Sequence, residues 1–393
     1  MKTKHYFLIA AVGMFTMTAG SALAFHGGGV AHCDGCHSMH NSPENPIAGT
    51  PNEALMKGSD ASSTCLTCHF GTAGSYHIMT ADGGTMSNGG DFGWLTNDYQ
   101  LVVRGSTSNY AGDNAGHNIV ATDFGLAQDG ALAAAPGGTY DAAKLGCTSC
   151  HDAHGQVLDG TKGGSLPVGT SGSYSAAAPA GTIKGNYRIL GDSMYEAGHN
   201  INDGYAFTNN APIALSDGSS GAKVRYGSGM SEWCANCHTD YLVTDPDSMM
   251  GKHPTSVLLS KDGYNANYNS YVATGNFTGT QATSWDGLVP FETGSTDQAT
   301  LVTAGVGSTA GPSTGAEEVM CLSCHRSHAS AFNNMGRWDF ETEFLAKSAA
   351  LNTAAINFPA TGKAYYAEGA AVDVVTKYGV GQRSLCNKCH VQD

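Results

Sequence analysis

The chain has 393 residues and a formal net charge of −14, which excludes the basic face that a nucleic-acid partner requires. Charged residues make up only 13%, about half the usual share, and the 53 glycines are roughly twice the usual frequency. A large core of amphipathic helices or sheets is therefore not expected.

Taken from its start, the sequence has Lys2 and Lys4 before an apolar run from Tyr6 to about Met17, then the small residues Ala22-Leu23-Ala24. The run is too short to span a bilayer. It reads as a secretory signal over 1–24, leaving 25–393 as a single domain with no membrane span after cleavage.

Next comes Cys33-Asp34-Gly35-Cys36-His37, the first of six Cys-x-x-Cys-His units. The others are Cys65/Cys68/His69, Cys147/Cys150/His151, Cys234/Cys237/His238, Cys321/Cys324/His325 and Cys386/Cys389/His390, and together they use all 12 cysteines. In each unit two thiols fall on one face of a helical turn, with an imidazole projecting to the same side. This suits covalent haem attachment, the thiols adding to the porphyrin vinyl groups and the imidazole taking the iron. Zinc knuckles or redox dithiols need no histidine fixed after every second cysteine. Six covalently bound haems c are expected.

Between these units lie spacers rich in Gly, Ser, Thr, Asn and Ala. Haem macrocycles supply buried apolar surface that the polypeptide lacks. The expected fold is a multihaem cytochrome c, loop-rich, with few short helices and very little strand, wrapped around a continuous haem chain. Helix is expected around each motif and over Asp339 to Leu351, with short strands near Tyr99 to Arg104 and Lys223 to Tyr226.

A second period follows the motifs themselves. The first, third and fifth continue Cys-His-x-x-His, giving His40, His154 and His328, whereas Phe70, Thr239 and Val391 follow the other three. The chain thus reads as three dihaem units. Beyond the proximal set and His5 in the signal, the histidines are His26, His32, His40, His77, His117, His154, His199, His253 and His328. They outnumber the six distal positions to be filled. Six-coordinate irons exchange electrons without binding substrate, so an electron carrier is expected and not an enzyme.

Phe25-His26-Gly27-Gly28-Gly29-Val30-Ala31, Gly90-Asp91-Phe92-Gly93-Trp94, Gly116-His117-Asn118-Ile119-Val120 and Pro136-Gly137-Gly138-Thr139-Tyr140 carry a further signal. So do Tyr187-Arg188-Ile189-Leu190-Gly191, Gly229-Met230-Ser231-Glu232-Trp233-Cys234 and Leu385-Cys386-Asn387-Lys388. With these stretches in this order, the chain resembles the OmcS-type hexahaem outer-surface cytochromes, which polymerise into extracellular conductive filaments. The resemblance implies parallel and T-shaped haem pairs alternating in one file, bis-histidine irons, and one haem per subunit completed by a neighbour's histidine. It also implies passage through the periplasm, redox partner cytochromes and an extracellular acceptor such as a metal oxide or electrode. By similarity the distal pool is His26, His40, His77, His117, His154, His253 and His328, with His32 and His199 outside it.

A histidine three residues past a proximal ligand does not easily reach the distal face of its own haem. If each odd motif serves the preceding odd haem, His154 ligates the iron of His37 and His328 the iron of His151. His26, His77, His117 and His253 are then left for the three even haems, with one to spare. By the same rule His40 serves the haem of His325 in a neighbouring subunit, a head-to-tail contact that grows without closing. The rival readings are a soluble periplasmic electron shuttle and a multihaem reductase.

Overall fold

The computed structural model describes residues 33–38, 55–72, 76–81, 88–96, 98–103, 106–153, 168–171, 183–193, 195, 205–216, 224–242, 254–273, 275–303, 308–338, 340 and 386–390. Seven short α-helices are found among them: α1 (Cys33–Cys36), α2 (Ala61–His69), α3 (Cys147–Cys150), α4 (Met230–Cys234), α5 (Tyr264–Ser270), α6 (Gln298–Thr303) and α7 (Cys321–Cys324). Five of these carry haem motifs. In the fourth motif the helix stops at Cys234 and turns follow to His238, and the sixth motif is a single turn beginning at Cys386.

Strand content among the described residues is confined to three two-stranded ribbons. Tyr99–Val103 (β1) pairs antiparallel with Ser106–Tyr110 (β2), and Ala214–Ser216 (β5) pairs antiparallel with Val224–Tyr226 (β6). Val168–Ser171 (β3) pairs parallel with Ile183–Gly185 (β4). Both expected strands thus form, as β1 and β6. The expected helix over Asp339 to Leu351 lies outside the described residues apart from Phe340, and so does the signal segment. No helix among the described residues is long and apolar enough to cross a membrane.

Among the described residues apolar side chains gather in three clusters, with Leu145 packing against the first and third and Trp233 against the second and third. The largest centres on Phe92, Trp94, Tyr268, Phe291 and Phe332, and Cys147, Cys324 and Cys389 border it. A second, around Tyr187, Tyr226, Met230 and Met320, is bordered by Cys150 and Cys234. The third, of Tyr140, Tyr195 and Phe207, meets Cys237. Cysteines at the margin of every cluster place haem-bearing surface where an ordinary domain has more side chains, which accounts for the loop-rich architecture.

Candidate haem sites

Each motif is shaped by short-range hydrogen bonds. In the third to sixth motifs the histidine amide donates to the first cysteine's carbonyl, at 2.9 Å in His151, 3.1 Å in His238, 3.0 Å in His325 and 2.9 Å in His390. That closes one helical turn and brings both thiols and the ring to one side. Asp60 caps α2, accepting from the Ser63 amide at 2.7 Å, and the Ser149 and Ser323 hydroxyls accept from the amides just before their helices.

None of the eleven cysteines whose side chains are described is in a disulfide. The described thiols differ in exposure from motif to motif. Cys68 is exposed, as is Cys386, whereas the other described thiols are half-buried. The cause lies in α2, which turns its first four residues and Leu66 inward and so presents Thr67 and Cys68 to the outside. Phe70, two residues on, is 41% exposed. Cys68 therefore stands near the partly exposed Phe70, which packs on Phe124 with ring centroids 5.5 Å apart.

The rings are held by a common device. Nδ1–H donates to a backbone carbonyl in five of them: His69 to Tyr76 (2.7 Å), His117 to Ser327 (2.8 Å), His151 to Arg188 (2.8 Å), His238 to Pro136 (2.8 Å) and His325 to Asn334 (2.7 Å). Such a bond fixes the tautomer and leaves Nε2 with its lone pair, the arrangement a metal-ligating histidine uses. Burial holds His117 down to about 4 and His328 to about 3, with the facing His238 and His151 adding to the effect, so both rings are neutral at physiological pH.

Two pairs of these rings face each other. His151 and His328 have centroids 6.4 Å apart, and His117 and His238 6.0 Å apart. Two imidazoles bound through Nε2 to opposite sides of one metal ion, at about 2 Å per bond, have centroids about 6 Å apart. The residues present therefore fit a bis-histidine iron at both places. His117 and His328 reach these positions together, because the His117 amide donates to the His328 carbonyl at 2.9 Å and the His328 amide to Gly89 at 2.7 Å. Glycine is required in this clamp: a Cβ at Gly116 would lie 2.4 Å from the His328 carbonyl oxygen, and one at Gly90, where φ is +90°, would lie 1.9 Å from that of Ala329.

His77 packs on Tyr76 with ring centroids 4.1 Å apart, its Nδ1 buried with no partner among the described residues. His390 meets Tyr264 edge-on at 5.1 Å. His37 forms an isolated backbone bridge with Met56. His26, His40, His154 and His253, with His32 and His199, lie outside the described residues.

The motifs follow one another in space as they do in sequence. The Cys36 thiol acts electrostatically on Cys65, which lies close enough to Cys147 for the two thiols to affect each other. Cys150 feels Cys237, Cys234 and Cys321 affect each other, and Cys324 feels Cys386 and lies close enough to act on Cys389. Both even-to-odd joints use the same clasp: Ser62 Oγ accepts from the Cys147 amide at 3.0 Å and Ser231 Oγ from the Cys321 amide at 3.2 Å.

Several positioning residues escaped sequence reasoning. In each odd motif the residue after the histidine donates its amide to a non-glycine residue in the left-handed region: Ser38 to Leu55 (φ +53°), Asp152 to Ile189 (φ +52°) and Arg326 to Met335 (φ +56°). Two residues beyond, the Lys57, Gly191 and Arg337 amides donate back to the second cysteines Cys36, Cys150 and Cys324. Three copies of one latch support the reading of three dihaem units. Among the described residues the even motifs share no such latch, and the position where odd motifs carry a second histidine is Tyr241 in the fourth, stacked on His238 at 5.7 Å.

No family model matches this chain. It is 40% identical to the C-type cytochrome OmcS of Geobacter sulfurreducens, over 98% of each chain. Two solved structures from that organism, an outer membrane cytochrome S filament and OmcS nanowires seen by cryo-EM, superpose with TM-scores of 0.74. They share 36% sequence identity with this chain, and each match covers 94% of it and all of the other chain.

Proposed function

This chain belongs to the OmcS family of c-type cytochromes, and on that premise we propose that it carries six haems c in one file and polymerises into an extracellular electron-transfer filament. It is an electron carrier and not an enzyme. A haem held between two imidazoles supplies a reversible one-electron site with no open coordination position. The chain's own part is to bind, space and insulate those sites.

The twelve motif cysteines are the thioether anchors, and His37, His69, His151, His238, His325 and His390 the proximal ligands. Cys68 keeps its place among the anchors despite its exposure, because it shares the last turns of α2 with Cys65 and His69. His328 serves the site of His151 and His117 that of His238. The facing rings at 6.4 and 6.0 Å carry this assignment, because His117 and His328 are held neutral by burial and backbone carbonyls hold three of the four rings in place. By the same wiring His154 serves the site of His37, and His26, His77 and His253 are the pool for the second and sixth sites. The stretch before Phe25 directs export. Electrons reach the chain from partner cytochromes and leave to an extracellular acceptor such as a metal oxide or electrode.

The polymer contact rests on the odd-motif rule. The fifth site has no later odd motif in its own chain, and His40 has no earlier odd site to serve, so His40 completes the His325 site of a neighbouring subunit. His40→Ala should retain six haems by intact mass, show high-spin ferric signal from one haem in six, and yield shortened filaments or none by negative-stain microscopy. Full-length filaments with every iron low-spin would overturn the contact.

A further inference from the structure

The joint between the fourth and fifth motifs carries buried charge that electron transfer as described above does not use. Glu292 is 4% exposed, and its Oε1 accepts from the amide of Met230, the first residue of α4, at 2.7 Å. Its backbone pairs with Glu318 in both directions, at 3.0 and 2.9 Å, three residues before Cys321. Glu232, on α4, has Oε2 buried with no partner among the described residues. Three glutamates therefore converge beside the Cys234 and Cys321 thiols, which feel the charges of Glu292 and Glu232.

The other groups at this joint are accounted for. On β6, which bridges to Glu292 through Tyr226, the cation Arg225 is drawn to Glu317. Burial disfavours charge on Glu317, but the amides of Ser313, Thr314 and Gly315 hold its carboxyl below the usual range, so it keeps its charge. Glu318 is raised by burial and by Glu232. Glu292 is pushed up to about 8, first by burial and then by the like charge of Glu232. Its own charge is felt at the Cys234 sulfur, and that of Glu232 at the Cys321 sulfur.

We propose that Glu292 is a redox-linked proton site, its carboxylate binding one proton in step with one-electron reduction at the fourth or fifth haem site. This rests on haem attachment at Cys234/Cys237 and Cys321/Cys324. The step balances: a carboxylate and a solvent proton give a carboxylic acid as Fe(III) and one electron, delivered by the carrier function, give Fe(II). An added electron nearby makes the local potential more negative, which favours the neutral carboxyl, and burial leaves that coupling weakly screened. Electron flow through this joint is thereby tied to pH.

The test is a spectroelectrochemical titration of the intact hexahaem protein across neutral and mildly alkaline pH, paired with Glu292→Gln. The amide oxygen of glutamine still accepts from Met230, so the fold is kept. In the wild type one redox component should fall with rising pH, by up to 59 mV per unit, the limit for one proton with one electron. In Glu292→Gln that component should lose its pH dependence, and its potential at alkaline pH should lie above the wild-type value. Glu232→Gln should move the sloping window to lower pH without abolishing it. A slope that survives Glu292→Gln, or wild-type potentials independent of pH, would overturn the proposal. So would the absence of proton uptake when the unmodified protein is reduced in weakly buffered solution. Intact mass separates the two readings, since fewer than six haems faults the attachment sites and not the proton site.

Discussion

The odd and even haem motifs have the same five-residue formula and are supported in opposite ways. Odd motifs share one latch: the histidine of the third is anchored to Arg188 and that of the fifth to Asn334, each beside the left-handed residue that completes the latch. Even motifs are braced individually, His69 by Tyr76 seven residues on and His238 by Pro136, 102 residues earlier. Joining the two classes is the serine clasp, which the second and fourth motifs supply to the odd motif after each. The difference teaches where the repeating unit lies. The odd motif with its latch is the part that recurs three times in this chain, whereas the bracing of each even motif is its own.

The sharpest way to break this contrast is to remove one latch and ask whether the damage stays within its class. Asn334→Pro forces φ from +57° to the proline value and withdraws the carbonyl that accepts from His325. The latch bond from Arg326 to Met335 goes with it. A loss of about 3 kcal/mol is expected in chemical unfolding followed by haem absorbance. The perturbed spectrum should come from one odd haem, with the even sites unchanged.

A smaller effect is expected from the brace of the fourth motif. Gly138 approaches the Cys237 carbonyl so closely that a Cβ would lie 1.7 Å from its oxygen. Gly138→Ala therefore pushes the Pro136–Thr139 turn off the motif, weakening the His238 anchor at a cost of about 2 kcal/mol, the usual scale for overpacking. The expected spectral change is confined to the fourth haem. A matching change at the third would show that odd and even supports are not independent.

What could be read from the residues alone follows from the range of each interaction. The helical turns around the motifs and the scarcity of strand among the described residues follow from short-range patterns, and both were legible. The outward turn of Cys68 was not, because the three residues the motifs share say nothing of which face of α2 the rest of the chain covers. The facing of His151 and His328 was reached by a counting rule. The partner of His117 was not, because four histidines were candidates for the even sites and the His117–His238 pairing depends on a clamp formed by distant glycines. The latch was invisible for a different reason. Its central residue is Leu, Ile or Met in the three copies, and nothing in those side chains announces a left-handed backbone. The carboxylates at the fourth joint were hidden likewise, since Glu292 and Glu232 are 60 positions apart.

Within the odd class the least costly way to sharpen the picture is to relieve the latch rather than break it. An L-residue in the left-handed region is strained by roughly 1–2 kcal/mol. Glycine removes that strain and gives back roughly 0.5–1 kcal/mol through the greater freedom of the unfolded chain. Leu55 is 39% exposed, so little packing is lost with its side chain. Leu55→Gly should then raise stability by about 0.5 kcal/mol, read as a higher denaturant midpoint at unchanged slope. Ile189 occupies the same place in the third latch but is only 9% exposed. There the lost burial outweighs the relieved strain, and Ile189→Gly should destabilise by about 2 kcal/mol. Opposite signs at two equivalent positions would show that the backbone shape is what the three copies share. Loss of stability at Leu55 as well would mean that its side chain is part of the latch.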